Sequence, residues 1–212
     1  MTPIIGRIIE TEACVAEGAN WLAATEPRFA HVLALEGPPP LRRREDGFEA
    51  LMGAIVSQQV SVAAAAAIWG RLKAAGLTTP HTVAGAPEEA LRTAGLSRQK
   101  VRYVRALAEA GIDYAALRRA PDTEVVATLT AVPGIGRWTA EIYAMFSLGR
   151  ADVFAPADLA LQEAARSLFA LPDRPREATL RRMAEAWSPW RAVAARMLWA
   201  YYRLDRGREG VS

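Results

Sequence analysis

Apolar residues recur along this chain at intervals of three and four. No series of stretches alternates apolar and polar positions convincingly enough to predict strands. The pattern predicts a succession of helices. Ala19 to Leu35 reads as the first long one, ended by Gly37 and the run Pro38-Pro39-Pro40. Arg42 to Asp46 is a charged linker. Phe48 to Val56 and Ser61 to Ala75 follow, the second stopped by Gly76. Pro87 to Ala94 is short and ends at Gly95, and Ser97 caps Arg98 to Ala110, which Gly111 stops. Asp122 to Ala131, Trp138 to Leu148, Asp158 to Leu168, Glu177 to Trp187 and Arg191 to Arg203 complete the series. The polar tail after Asp205 is expected to fray. The fold class is all-α.

Three places break the pattern. Ser57-Gln58-Gln59-Val60-Ser61 sets polar amides between two apolar helices. A solvated turn, or an amide satisfied by backbone, is the plain reading; a loop whose amides meet bases is the functional one. Leu129 to Ala140 reads Leu-Thr-Ala-Val-Pro-Gly-Ile-Gly-Arg-Trp-Thr-Ala. Pro133 removes a donor, Gly134 and Gly136 permit backbone angles barred to other residues, and a helix opens near Arg137. N–H groups at that opening, with no glycine side chains in the way, attract an anion. Ile135 is expected to pack inward and fix the turn. Such a clamp reads a phosphate backbone and not a base sequence. Asp158 stands at the start of the next helix behind Pro156, where its plain role is an N-cap. Leu161 sits three residues on, so no capping box completes. Trp187, Trp190 and Trp199 surround Pro189 at spacings that read as core. Arg98, Lys100 and Arg102 open their helix either as a solvated charged face or as phosphate contacts.

Composition narrows the chemistry. The 212 residues, 51% of them hydrophobic, suffice for one sizeable core or two shared lobes. No run approaches the roughly 18 consecutive apolar residues of a membrane span, and Met1 to Arg7 lacks the layout of a signal peptide. Cys14 is the only cysteine, which excludes an intrachain disulfide, a zinc finger and a four-cysteine iron–sulfur cluster within one chain. His31 and His81, far apart, read as buried or surface residues and not as metal ligands. The net charge is +3 and the pI near 9.3 permits a basic face. Of 26 basic residues only Lys73 and Lys100 are lysines. Codon bias explains that plainly, although arginine also suits phosphate.

Taken together, these strings resemble the helix-hairpin-helix base-excision DNA glycosylases, and within them most of all the DNA-3-methyladenine glycosylase II group. The matching segments are Phe48 to Leu51 through Ser57 to Ser61, Val132 to Ala140, Asp152-Val153-Phe154 with Asp158, and Trp187 to Arg191 through Trp199. The resemblance covers roughly residues 45 to 203 in family order. It implies an all-α, two-lobed fold with a central DNA- and base-binding cleft, residues 1–212 forming a single glycosylase domain. Residues 1–44 and about 165–212 would make one lobe. Residues 45–164 would make the other, with the hairpin at 129–140. The segment ahead of Phe48 is too short for the α/β domain that some bacterial members carry, so a compact member is expected.

The resemblance also implies roles. Asp158 would be the catalytic carboxylate. Trp138 and Trp199, with Tyr143 and Tyr202 as weaker candidates, would form the base pocket; Ile142 stands where a relative has a pocket tyrosine. Gln58, Gln59, Ser61, Gly134, Ile135, Gly136, Arg137 and Thr139 would meet DNA, one of the two glutamines acting as the wedge. Members that also cut the strand use a lysine directly before the position of Thr139. Here that position is Trp138, so a monofunctional enzyme is expected. No cofactor is required; the carbonyls of Thr130, Val132 and Ile135 would have room for a structural Na+ or K+. The partner would be double-stranded DNA with a damaged base, the protein a cytoplasmic monomer (nucleoid-associated in a bacterium) and no membrane would be involved. Alternatives are a glycosylase for uracil, hypoxanthine, ethenoadenine or mismatched adenine, a non-catalytic helix-hairpin-helix module, and a helical protein-interaction domain.

Overall fold

The computed structural model describes residues 6–209, with side chains to Asp205. Its helices are α1 (Glu12–Thr25), α2 (Pro27–Glu36), α3 (Phe48–Ser57), α4 (Val62–Ala74), α5 (Pro80–Gly85), α6 (Glu88–Thr93), α7 (Arg98–Glu109), α8 (Tyr114–Arg119), α9 (Asp122–Thr130), α10 (Arg137–Phe146), α11 (Leu159–Leu168), α12 (Glu177–Met183) and α13 (Arg191–Glu209), with a 3-10 turn at Ala184–Trp187. Among the described residues no strand forms; Ile8 and Arg150 make one isolated antiparallel bridge.

The chain divides into two compact units. Residues 44–143 form one, and residues 6–43 with those from Ala144 onward form the other. The sequence reading placed 45–164 with the hairpin. The structure instead groups 144–164 with the terminal segments, so Asp158 shares a unit with Trp199.

The expected helix over Ala19–Leu35 is two helices. Pro27 lacks an N–H, and its ring drives the preceding residue out of the α region; Glu26 is extended at φ −135° and ψ 110°, and its carboxylate caps Arg28 N–H at 3.1 Å. Two six-residue helices escaped the periodicity reading because a run that short carries little of it. Each begins with a cap: Thr79 and Thr82 form a reciprocal capping box before α5, and Asp113 accepts from Ala116 N–H at 2.9 Å before α8. The last turn before Ser188 tightens to a 3-10 helix. The backbone of α13 stays helical to Glu209, beyond the point where fraying was expected.

The core of the terminal unit is aromatic. Trp187, 3% exposed, takes Phe29, Phe154 and Phe169 at centroid distances of 5.3, 5.5 and 5.8 Å. Helix α13 packs on α11, α1 and α2. Trp190 lies so close to α1 that only a glycine fits beneath it, for a Cβ on Gly18 would stand 2.6 Å from the ring. In the hairpin unit, α7 packs on α3 and α5, with Val101, Val104 and Leu107 buried.

Gly18→Ala should therefore destabilise the protein by about 1–3 kcal/mol through overpacking. A denaturant titration checks this; an unchanged midpoint would show that Trp190 moves aside freely.

Candidate active site

Asp158 is positioned by a chain of local bonds. Arg191 grips Asp152 with two N–H groups at 2.7 and 2.8 Å, and Ser188 Oγ–H donates to the same carboxylate at 2.8 Å. Ala192 N–H reaches Ala151 carbonyl at 2.8 Å, so the loop after α10 is pinned to the start of α13. Further on, buried Gln162 donates from Nε2 to the Pro156 carbonyl at 2.8 Å, and Asp158 N–H donates to Ala155 at 3.1 Å. Asp158 then opens α11 as its N-cap. Its Oδ1 accepts from Ala160 N–H at 3.0 Å, Leu161 N–H at 3.1 Å and the indole Nε1–H of Trp199 at 3.2 Å. The start of a helix favours negative charge, which suits a carboxylate there. The N-cap reading of Asp158 is seen directly, at Oδ1.

Trp199 is half-buried, and its ring lies 5.7 Å from that of Phe146 at a 33° tilt. Buried Arg196 covers Phe146 at 4.7 Å. Its Nη1 donates to Ala192 carbonyl at 2.8 Å and its Nη2 to Met145 carbonyl at 3.3 Å. Burial, with like charge from Arg43 and Arg42, lowers this guanidinium to about 10. Tyr202 is half-buried one turn beyond Trp199. Leu159, next to Asp158, is 61% exposed. Sequence reasoning missed Phe146 and Arg196. Phe146 carried only an ordinary apolar spacing, and a buried arginine without a carboxylate leaves no sequence signal.

The second constellation lies in the hairpin unit. Gly134 has φ +92°, and a Cβ there would stand 2.3 Å from Tyr103 Cγ, so the fold itself demands glycine. Gly136 differs: a Cβ would meet nothing within 4 Å. Gly136 immediately precedes the first turn of α10, whose N–H groups have no acceptor within the helix. Ile135 is buried as expected, and its N–H is consumed inside the turn by the Val132 carbonyl at 3.1 Å, so it offers no donor to an anion. Thr139 is also buried, at 9% exposure. Arg137 is exposed and holds buried Glu141 through Nε at 3.0 Å. Trp138 is 44% exposed.

The glutamines part company. Gln58 Nε2 donates to the Gly134 carbonyl at 2.9 Å, joining its loop to the hairpin. Gln59 is exposed, with its backbone in the left-handed region at φ 55°. Ser61 caps α4 by accepting from Ala64 N–H at 3.2 Å. Tyr143, expected in a pocket, is a core residue here: it is buried, and its hydroxyl oxygen accepts from Gly47 N–H at 2.8 Å. Lys100, weighed as a phosphate contact, instead donates to the Val56 carbonyl at 2.6 Å. Lys73 lies over the Trp69 ring at 5.9 Å. Among the described residues no group of three or more His, Cys, Asp or Glu side chains is arranged to hold a metal ion. None of their helices is long and apolar enough to cross a membrane.

An all-α chain with a glycine hairpin opening one helix and a lone carboxylate opening the next has the parts of a protein that handles nucleic-acid phosphates and acts on the attached nucleotide. The chain belongs to the HhH-GPD superfamily of base excision DNA repair proteins, whose family model matches residues 52–189. It is 32% identical over 195 residues to DNA-3-methyladenine glycosylase 1 of Schizosaccharomyces pombe, covering 86% of each chain. Among solved structures it is similar to a DNA-3-methyladenine glycosidase from Bacillus halodurans, with a TM-score of 0.81 and 33% identity over 93% of this chain and 92% of that one. It is also similar to an S. pombe 3-methyladenine DNA glycosylase in complex with abasic DNA, with a TM-score of 0.73 and 30% identity over 86% and 95% of the two chains.

Two outcomes follow. Gly136→Ala should leave stability within about 1 kcal/mol, since only a cap preference changes. It should weaken DNA binding about tenfold or more by blocking the approach to the α10 N–H groups, measurable by fluorescence anisotropy. Unchanged affinity would show that no backbone phosphate comes this close. Tyr143 gives a pH test. Burial pushes its hydroxyl from 10.0 up to about 12. Between those values the unfolded chain binds fewer protons than the folded one, so stability is complete below pH about 10 and falls as the pH rises towards about 12. Urea titrations at pH 9 and 11 should show a smaller loss for Tyr143→Phe than for wild type; equal losses would contradict the assignment.

Proposed function

We propose that this protein is a monofunctional DNA glycosylase of the 3-methyladenine glycosylase II type, hydrolysing the N-glycosidic bond of alkylated purines and leaving an abasic site. The observation that carries this reading is Asp158, a lone carboxylate steered by Ala160, Leu161 and Trp199 N–H groups at the head of α11. A purine alkylated at a ring nitrogen is cationic and departs with its bonding electrons without needing a general acid. The sugar left behind is an oxocarbenium-like cation. A fixed carboxylate stabilises that charge and orients the water whose oxygen takes the vacated position on C1′.

The target base lies inside the stack and has to be turned out first. The N–H groups at the start of α10, opened by Gly136 and flanked by Arg137, suit a DNA phosphate during that step. Gln59, with its exposed and left-handed backbone, is the side chain best placed to enter the gap, its amide able to pair with the orphaned base. Trp199 and Tyr202, both on α13, supply faces for a cationic base. Lysine placement supports a reaction without strand cleavage: Trp138 occupies the position a Schiff-base lysine would need, and Lys100 is tied to Val56. The hairpin carbonyls of Thr130, Val132 and Ile135 are oxygen donors, the kind Na+ or K+ takes. Val132 already accepts one N–H, and an ion there would steady the turn and take no part in the chemistry. The reading is of a monomer acting on duplex DNA.

The test is release of free bases from methylated duplex DNA by wild type and Asp158→Asn. Asparagine caps helices about as well as aspartate, so the variant keeps the start of α11. Its release rate should fall about 100-fold or more with DNA binding retained. Borohydride should trap no covalent protein–DNA adduct with either form. No methylpurine release by a folded, DNA-binding wild type would overturn the reading.

A further inference from the structure

Helix α7 touches both DNA-facing loops of the hairpin unit. Near its start, Lys100 Nζ–H reaches the Val56 carbonyl at 2.6 Å. Val56 lies in the last turn of α3, just before the Gln58-Gln59 loop, where carbonyls lack helical partners and a cation is favourable. One turn further on, the Tyr103 ring fills the space under Gly134, and Gln99 Nε2 holds the Tyr103 hydroxyl at 2.5 Å. Gln58 closes the triangle by donating to the Gly134 carbonyl at 2.9 Å. Both ends of the segment that presents Gln59 are therefore anchored: Val56 to α7 before it, and Ser61 to the start of α4 after it. The exposed residues between, Gln59 and Val60, have a fixed base.

We infer that Lys100 and Gln58 are positioning residues that make the Gln59 loop and the Gly134–Gly136 hairpin one rigid element, so that phosphate capture delivers the wedge into the duplex. This rests on the reading that the protein opens duplex DNA. The physical argument is one of placement. The hairpin can hold a phosphate without Lys100 or Gln58. A loop free to swing would then have to find the stack by itself, and a side chain misplaced by about 1 Å can cost about 100-fold in a step that depends on orientation. Gln58 has its amide engaged with Gly134 and Gln59 does not, which separates the strut from the wedge.

The experiment reads unstacking apart from both affinity and chemistry. A duplex carrying a tetrahydrofuran abasic analogue has 2-aminopurine in the opposite strand, facing the lesion, and its fluorescence rises when that base is displaced. Lys100→Met and Gln58→Ala should bind this duplex within about threefold of wild type, while the rate of the fluorescence rise falls about tenfold or more. The double variant should fall little further than the worse single one, because both anchor the same loop. Gln58→Glu, which places an acceptor against the Gly134 carbonyl, should not rescue. Unstacking at the wild-type rate in both folded single variants overturns the inference. So does a parallel loss of affinity and unstacking, which would make these residues mere supports of the hairpin fold. A wild type that unstacks this duplex but releases no base from methylated duplex DNA sinks the glycosylase reading and leaves this one standing.

Discussion

One oxygen of Asp158 holds the site together. Three N–H groups converge on it, two from the opening turn of α11 and one from Trp199 on α13. The carboxylate sets where a helix begins and how an aromatic ring is turned. Asp152, gripped by Arg191 and Ser188, fixes the loop that leads in, and Gln162 fixes the proline turn just ahead of it. Preorganisation of this kind is what the proposed role would require, since a group that is to stabilise a developing positive charge contributes most when it does not have to move.

The hairpin obeys a different constraint. Its two glycines look equivalent as letters but answer to different demands. Gly134 belongs to the protein, compelled by its positive φ and by Tyr103 beneath it. Gly136 is compelled by nothing in the chain, and the space above it is the kind a ligand would use. The turn also consumes the Ile135 N–H that a simple reading would offer to an anion, moving the donor set one step into α10.

The long amphipathic helices could be read directly from the sequence, since ten or more residues carry the 3.6-residue period clearly. Caps at Ser97 and Asp158 and stops at Gly37, Gly76, Gly95 and Gly111 were equally visible, because their chemistry is local. The break at Glu26-Pro27 was missed although its signal was present: apolar spacing ran through a proline that the backbone could not follow. The site was legible as far as its residues are special in type. Asp158 stood out as a lone acid and Trp199 as a base-pocket candidate by resemblance; the bond between them was not legible in the sequence. Tyr143 was misread because helical spacing cannot tell a ring facing a core from one facing a pocket; only the bond to Gly47 decides it. The division of labour between Gln58 and Gln59 was beyond the sequence for the same reason, as it depends on a carbonyl distant in the chain.

The engagement of Lys100 with Val56 has a practical side. With that amine held against a carbonyl and half-buried, Lys73 is the one exposed lysine among the described residues. It projects from the last turn of α4 beside Trp69. Amine-directed reagents therefore meet a chain with only two lysine side chains, Lys73 and Lys100, of which Lys73 is the more exposed.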